Sequence, residues 1–543
     1  MDLSIIATFL GGFILVFGLC SSFLKERLCL SEAPIAVAFG ILLGPACANF
    51  ISFATAEEQE SFTLGISRVI IDLQVMAVGL TLPNRYIWDE WLSMLLILLA
   101  GMSLMWVVSA ALVEALVPGM DFLAALMIAA CFTPTDPVLS NAIVQGPYAE
   151  RNVRAGIRYL IAAESAANDG LGYPFLFLAV YLMKLSGGDV VKEWVIQAVL
   201  RGVLLSVAIG AVLGTGARLL LKKCHEWNLI DKEWLELVGF AMGLFLLGVV
   251  SLVTSDDLLA CFTAGVALSW DEWFSRHTRN SHFLQVLDPL LNVIIFTYIG
   301  ATMPWQAFVD LSLWRLFVLA ILVILLRRVP STLLLYKFVP AIYDWQEALF
   351  TGWFGPIGVG AIFYYATATD IFTPDGPFAY ARATLLPVVY FIVLASVVVH
   401  GFSIPVWVGT RVLWQLCRGE RRASDLFSLK RNDLSRTDLE SIATTAVDGN
   451  GNTWMTQQGK KNVLMDLEKQ ALGLSGKAAI PTTTSKQCDS TTDVGATTDE
   501  RSNTDIDEIT TVEASSSPPP PPPPPPRQTT ITIQDCPPRK PKT

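Results

Sequence analysis

The sequence predicts an all-α polytopic membrane protein with thirteen transmembrane helices, inverted repeats with two crossing broken helices, and a disordered C-terminal tail. Three observations carry this. Of the 543 residues, 53% are hydrophobic and only 16% charged, too apolar for an ordinary soluble domain. Apolar runs of membrane-spanning length recur from the first residue to about Trp414 and then stop. Lys and Arg gather in alternate loops between those runs.

In chain order the spans fall near residues 3–23, 34–52, 64–83, 91–116, 122–144, 157–183, 196–221, 235–254, 257–270, 285–303, 313–336, 346–368 and 384–410, the ninth being the shortest. The first follows Met-Asp-Leu with no basic n-region and no small-residue cleavage site, so it is expected to be retained as a span. Basic loops occur at Lys25 and Arg27, at Arg151, Arg154 and Arg158, at Lys222, Lys223 and Lys232, and at Arg276 and Arg279. The loops between are mostly acidic or neutral, which puts the N-terminus outside and the C-terminus in the cytoplasm. The net charge of −10 comes mainly from the apolar part, so no phosphate-binding surface is offered and nucleic acid is excluded as a partner. The nine cysteines show neither a CxxC pair nor metal-ligand spacing and are expected to be free thiols.

Residues 1–414 form the expected membrane domain, and residues 415–543 the tail, rich in Ser, Thr, Asp, Lys and Pro and unable to bury a core. The basic stretch from Arg411 to Arg431 is consistent with positive-inside topology and with contact to anionic lipid. Residues 463–472 have the pattern of a short amphipathic helix. The run 518–526 is uninterrupted proline, an extended left-handed helix that suits either a spacer or a proline-recognising adaptor.

Ionisable residues at membrane depth are expensive and invite a functional explanation. The fifth span reads Thr133-Pro134-Thr135-Asp136-Pro137, and its two prolines remove backbone donors, so the helix must break there and expose ligating carbonyls. The sixth reads Glu164-Ser165-Ala166-Ala167-Asn168-Asp169-Gly170, placing Glu164 and Asn168 on one helical stripe with Ser165 and Asp169 on the next. An oxygen-rich set with no soft ligand suits a hard cation. Arg327 and Arg328 in the eleventh span need an acidic partner, for which Glu164 is the natural candidate. The Gly-rich segment around Pro356 marks a second break, in the twelfth span. The fifth and twelfth spans run in opposite directions, as crossing half-helices of an inverted repeat require.

Asp256 and Asp257 open the ninth span and are expected to cap its helix, with attraction of cations the second possibility. Asp72 stands without a break or second acid beside it and has Arg68 at i−4 as a local partner. Of His225, His277, His282 and His400, only the last is embedded in a span.

The strings Thr133-Pro134-Thr135-Asp136-Pro137-Val138-Leu139 and Glu164-Ser165-Ala166-Ala167-Asn168-Asp169-Gly170-Leu171-Gly172 resemble the monovalent cation/proton antiporter 1 family, specifically its fungal plasma-membrane sodium/proton branch. The resemblance implies a core domain with crossed broken helices and a second domain forming a homodimer interface. It implies Asp169 as the essential carboxylate with Asn168 its neutral partner, Thr135 and Asp136 in the unwound stretch, and Ser165 beside the cation, with Na+ held at Asp169, Thr135 and Ser165. The family's Glu–Arg bridge falls on Glu164 and on Arg328 more than Arg327. Where many relatives carry an Arg inside the twelfth helix, this chain has Pro356 and Ile357. The implied activity is exchange of Na+ and Li+, with K+ a further candidate, for protons across the plasma membrane, exporting Na+ for salt tolerance and for cytosolic pH and cation homeostasis. Neither a cofactor nor enzymatic chemistry is expected.

One carboxylate that binds either a proton or Na+ makes the two substrates mutually exclusive, and moving the occupied core against a fixed dimer domain carries them in opposite directions. A proton-coupled carrier of organic solutes would use the same acids in a larger site, and a sensor or scaffold would act through the tail. An intramembrane protease lacks its Gly-x-Gly-Asp motif here, and a channel its repeated filter sequences.

Overall fold

The computed structural model describes residues 3–27, 30–144, 147–278 and 283–417, and helix is the only regular structure among them. The amphipathic stretch at 463–472, the polyproline run, Arg279 and His282 lie outside the described residues. In chain order the main helices are α1 (Leu3–Ser22), α2 (Glu32–Leu43), α3 (Ala56–Thr81), α4 (Trp91–Leu116), α5 (Phe122–Phe132), α6 (Pro137–Val144), α7 (Ala155–Lys184), α8 (Gly188–Glu226) and α9 (Lys232–Leu252). They continue with α10 (Asp257–Leu268), α11 (Phe283–Ala301), α12 (Trp305–Leu311), α13 (Leu313–Leu326), α14 (Val329–Leu335), α15 (Trp345–Trp353), α16 (Val359–Ile371) and α17 (Ala379–Cys417).

Helix therefore occurs in every apolar stretch found in the sequence. Six helical stretches are long and apolar enough to cross a membrane, and α11 with α12, bent by 56°, makes a seventh among the described residues. The remaining segments are shorter, broken, or polar in their interior, as α7 is at Glu164 and Asp169. Two stretches differ from expectation in length. Helix α2 stops at Leu43 where the sequence suggested continuation to residue 52, because Gly44 is followed by Pro45, which turns the preceding residue away from helical geometry. Helix α8 starts eight residues early, at Gly188, so the expected loop before residue 196 is largely helical.

Helix starts are set locally. The Thr55 hydroxyl accepts from Glu58 N–H (3.2 Å) while the Glu58 carboxylate accepts from Ala54 N–H, and Asp344 and Glu347 repeat the arrangement at the start of α15. Asp256 accepts from Leu259 N–H (3.1 Å), which fulfils the capping role expected of it. Small residues set the closest approaches: Gly40 and Gly300 bring the backbones of α2 and α11 into contact, where a Cβ would collide with main chain.

The described cysteines Cys20, Cys47, Cys131, Cys224 and Cys261 are free. Large apolar side chains such as Leu15, Leu19, Leu220, Leu252 and Trp314 face outward, whereas α5, the first half of α7, α16 and the middle of α17 are nearly enclosed. An apolar exterior around a core that holds polar residues is the pattern of a bundle solvated by lipid. That core contains both helix breaks.

Candidate functional site

The break in the fifth stretch separates α5 from α6 at Thr133–Asp136, and the break in the twelfth separates α15 from α16 at Phe354–Gly358. The two breaks touch directly: Asp136 N–H donates to Pro356 O at 2.9 Å. Four half-helix ends therefore meet in one place, two N-termini with partial positive charge and two C-termini with partial negative charge.

Each kind of end receives a side chain of opposite sign. The Asp136 carboxylate accepts from Leu139 N–H (2.8 Å) at the start of α6, and from Val359 N–H (2.7 Å) and Gly360 N–H (3.4 Å) at the start of α16. At the other ends, Arg327 donates to Phe132 O (2.6 Å), Thr133 O (2.9 Å) and Pro134 O (3.3 Å) below α5, and to Gly355 O (2.6 Å) below α15. Pro137 has no N–H to offer Thr133 O, so the guanidinium replaces the missing helical donor. Pro356 and Ile357 leave this crossing without an arginine of its own in the twelfth stretch, and Arg327 reaches it from the eleventh. Ser396 and His400 complete the second break: Ile357 N–H donates to Ser396 Oγ (2.7 Å), and His400 Nε2 lies 2.9 Å from Trp353 O.

Helix α7 passes the crossing with a run of small residues. Asn168 Nδ2 donates to Thr135 Oγ1 (2.7 Å), and Thr135 N–H donates to Asn168 Oδ1 (3.2 Å), which ties the unwound stretch to the helix. Ser165 Oγ lies 3.0 Å from both Thr135 Oγ1 and Ser140 Oγ. Asp169, one residue beyond Asn168, is fully buried, and neither carboxylate oxygen has a hydrogen-bond partner. Its main-chain carbonyl accepts from the Tyr364 hydroxyl. A Cβ at Gly360 would lie 2.5 Å from Asp169 Oδ1 and one at Gly358 2.6 Å from Asp136 Cγ, so glycine at both positions lets α16 approach the two acids.

Glu164 is equally buried but fully occupied. Arg328 Nη1 and Nη2 donate to its two oxygens at 2.5 and 2.6 Å, and Arg328 Nε donates to Thr351 O at 3.0 Å. This bidentate pair takes Glu164 out of the oxygen set around Thr135.

The structure brings Thr135, Asp136, Ser165, Asn168 and Asp169 to one crossing and puts Glu164 with Arg328 beside it. Asp256 is close enough to Asp169 for their charges to interact, although its carboxylate caps α10. Asp257 pairs with Arg68. That pairing corrects the local partnership expected for Asp72: Arg68 bonds across to α10, and both Asp72 oxygens, fully buried, are without a partner. Ser140 and Tyr364 are additions that the sequence reading did not single out. Ser140 carried a weak signal, one helical turn beyond Asp136 in a stretch already marked by its prolines.

Compared with known proteins, residues 12–409 match the family described as sodium/hydrogen exchanger, transmembrane. A probable Na(+)/H(+) antiporter of Schizosaccharomyces pombe is 40% identical over 80% of this chain and 62% of its own length. A Na(+)/H(+) antiporter of Saccharomyces cerevisiae is 36% identical over 73% of this chain and 42% of its own. The chain thus spans less than two thirds of these relatives. In three dimensions, the sodium proton antiporter of Methanocaldococcus jannaschii at pH 8 superposes with a TM-score of 0.55, covering 74% of this chain and all of that one at 18% identity. That likeness shows a shared fold.

Proposed function

Since this chain belongs to the sodium/hydrogen exchanger family, among fungal sodium/proton antiporters, we propose that it exchanges Na+ for protons across a membrane. The observation that carries the proposal is Asp169, a buried carboxylate with no hydrogen-bond partner, one residue from Asn168 and within the crossing formed by Thr135, Ser140 and Ser165. A buried carboxylate one helical turn from Ser165, whose hydroxyl meets those of Thr135 and Ser140, can take up Na+ or a proton, and occupation by one excludes the other.

The proposal gives the neighbouring residues distinct tasks. Thr135, Ser165 and Asn168 present oxygens to the cation. Asp136 and Arg327 hold the four half-helix ends, so that the crossing keeps its shape when Asp169 loses its proton. The Glu164–Arg328 pair fixes α7 against α14. With Asp169 alone changing occupancy, exchange is one for one and electroneutral; the three backbone N–H groups that donate to Asp136 favour its charged form and so work against its carrying a second proton.

The same proposal includes thirteen spans in a membrane domain of residues 1–414, a homodimer, a plasma-membrane location with the N-terminus outside, and a disordered cytoplasmic tail from 415. The dimer is what the family resemblance implies. The orientation is supported by the alternation of basic loops. Li+ joins Na+ as substrate because hard oxygen ligands accept both, and K+ is the larger ion against which selectivity is read. An adaptor that recognises the polyproline run is the proposed tail partner.

The test is purified protein in proteoliposomes with an imposed pH gradient, to which Na+, Li+ or K+ is added in turn. Collapse of the gradient by Na+ and Li+ is the expected result. Correctly inserted protein that responds to none of the three would remove antiport and revive an organic-solute carrier.

A further inference from the structure

Away from the crossing, Gln74 on α3 and Asp288 and Asn292 on α11 form a second polar cluster inside the bundle. Gln74 Nε2 donates to Asn292 Oδ1 (2.6 Å) and to Asp288 Oδ1 (3.2 Å). Gln74 and Asn292 are 4% and 2% exposed, and Gln74 Oε1 is buried without any partner. The cluster has one acid and two amide oxygens, and it contains no histidine or thiol.

Its position connects it with a surface. Asp288 is close enough to Glu32 and Lys25, which form an ion pair at 3.3 Å, and to Asp136 at the crossing, for their charges to interact. Lys25 lies in the first basic loop, on the side that the loop pattern assigns to the cytoplasm. Asp288 stands near the start of α11, just after the basic loop of Arg276, and α3, which carries Gln74, packs on α6 at the crossing, so the cluster lies between that face and the crossing.

We propose that Gln74, Asp288 and Asn292 form a second alkali-cation site that receives the ion from the cytoplasmic face before it reaches Asp169. Rotation of the Gln74 amide by half a turn exchanges Oε1 and Nε2: the two hydrogen bonds from Nε2 are given up, and Oε1 then faces the oxygens of Asp288 and Asn292, with the cation's contacts to all three offsetting the loss. Three oxygens, one of them charged, then surround a single position, the donor set of a partly dehydrated hard cation. No proton is exchanged at this site, and the cation leaves it when Asp169 takes over as ligand. The proposal rests on Na+/H+ exchange as the function of the chain and concerns only how the ion arrives.

The test separates the two faces of the membrane. Right-side-out and everted vesicles containing the full chain are compared for the Na+ concentration that half-saturates exchange from each side, and the readout is the ratio of cytoplasmic to external values. In Gln74→Leu, which removes both amide atoms, the ratio is expected to rise roughly tenfold, the effect of losing one buried polar contact. Gln74→Glu, of equal size and with a charged oxygen, is expected to lower the ratio, and covers the case in which the leucine variant does not fold. A ratio equal to wild type in both, or equal shifts from both faces, would overturn the site. Absence of Na+ exchange in the wild type would instead contradict the function itself.

Discussion

Glu164 and Asp169 lie five residues apart on one helix and are both almost completely buried, yet their surroundings are opposite. Glu164 has a guanidinium on both oxygens, and Asp169 has nothing. Burial alone therefore does not mark a transport carboxylate. A buried charge with a bidentate partner is held in one state, while a buried carboxylate without a partner must find a proton or a cation. On the proposed reading, the middle of one helix carries a fixed anchor at Glu164 and, five residues on, the exchangeable carboxylate Asp169.

Substitutions at the two acids should separate these roles. The largest effect on transport is expected from Asp169→Asn, which removes the exchangeable charge at nearly equal volume: Na+-driven proton flux in proteoliposomes disappears while yield and thermal unfolding stay at wild-type values. The largest effect on stability is expected from Arg328→Ala, which leaves Glu164 charged and unpaired at a cost of about 3 to 5 kcal/mol. A melting temperature in detergent equal to wild type would contradict the anchor.

Arg327→Gln comes next. It cannot serve the carbonyls of Phe132, Thr133, Pro134 and Gly355 together, and a loss of about 1 to 3 kcal/mol is expected with slower exchange. Unchanged stability together with unchanged turnover would remove its role at the half-helix ends. Ser140→Ala deletes one neutral oxygen beside Ser165 and should raise the half-saturating Na+ concentration by roughly fivefold, read from flux titrations. The smallest effect is expected at Asp72→Asn: Asp72 is as buried and unbonded as Asp169, but it lies beside Asp257 and Arg68 and not among the oxygens of the crossing, and flux should remain within about twofold of wild type. A large loss there would make Asp72 a second working acid.

How much of this was legible in the sequence follows the range of the interactions. Pro134 and Pro137 announce the break between α5 and α6 because proline acts on the backbone at its own position. Glu164 and Asp169 stand out because acids in an apolar run are costly wherever they point. The bidentate Glu164–Arg328 contact spans 164 residues; the chemistry of a buried pair was enough to join Glu164 to one of the two arginines, and the family resemblance favoured Arg328. Arg327 was harder: its partners are main-chain carbonyls, and every residue has one. Tyr364 and Gln74 left no mark, since a tyrosine or glutamine in a span is unremarkable until its neighbours are known. Arg68 misled for a related reason. An acid at i+4 is the nearest partner in sequence, but α10 packs on α3 and brings Asp257 to the guanidinium first.

The contrast between the two acids is tested most directly by proton release on Na+ binding. Purified protein in detergent and weak buffer is titrated with Na+ while pH is recorded, for wild type, Asp169→Asn and Glu164→Gln. If Asp169 is the exchanged carboxylate, wild type releases up to about one proton per chain, Asp169→Asn releases none, and Glu164→Gln, where it folds, releases as wild type does. Proton release that persists in Asp169→Asn, or that is lost only in Glu164→Gln, would contradict the assignment of exchange to Asp169.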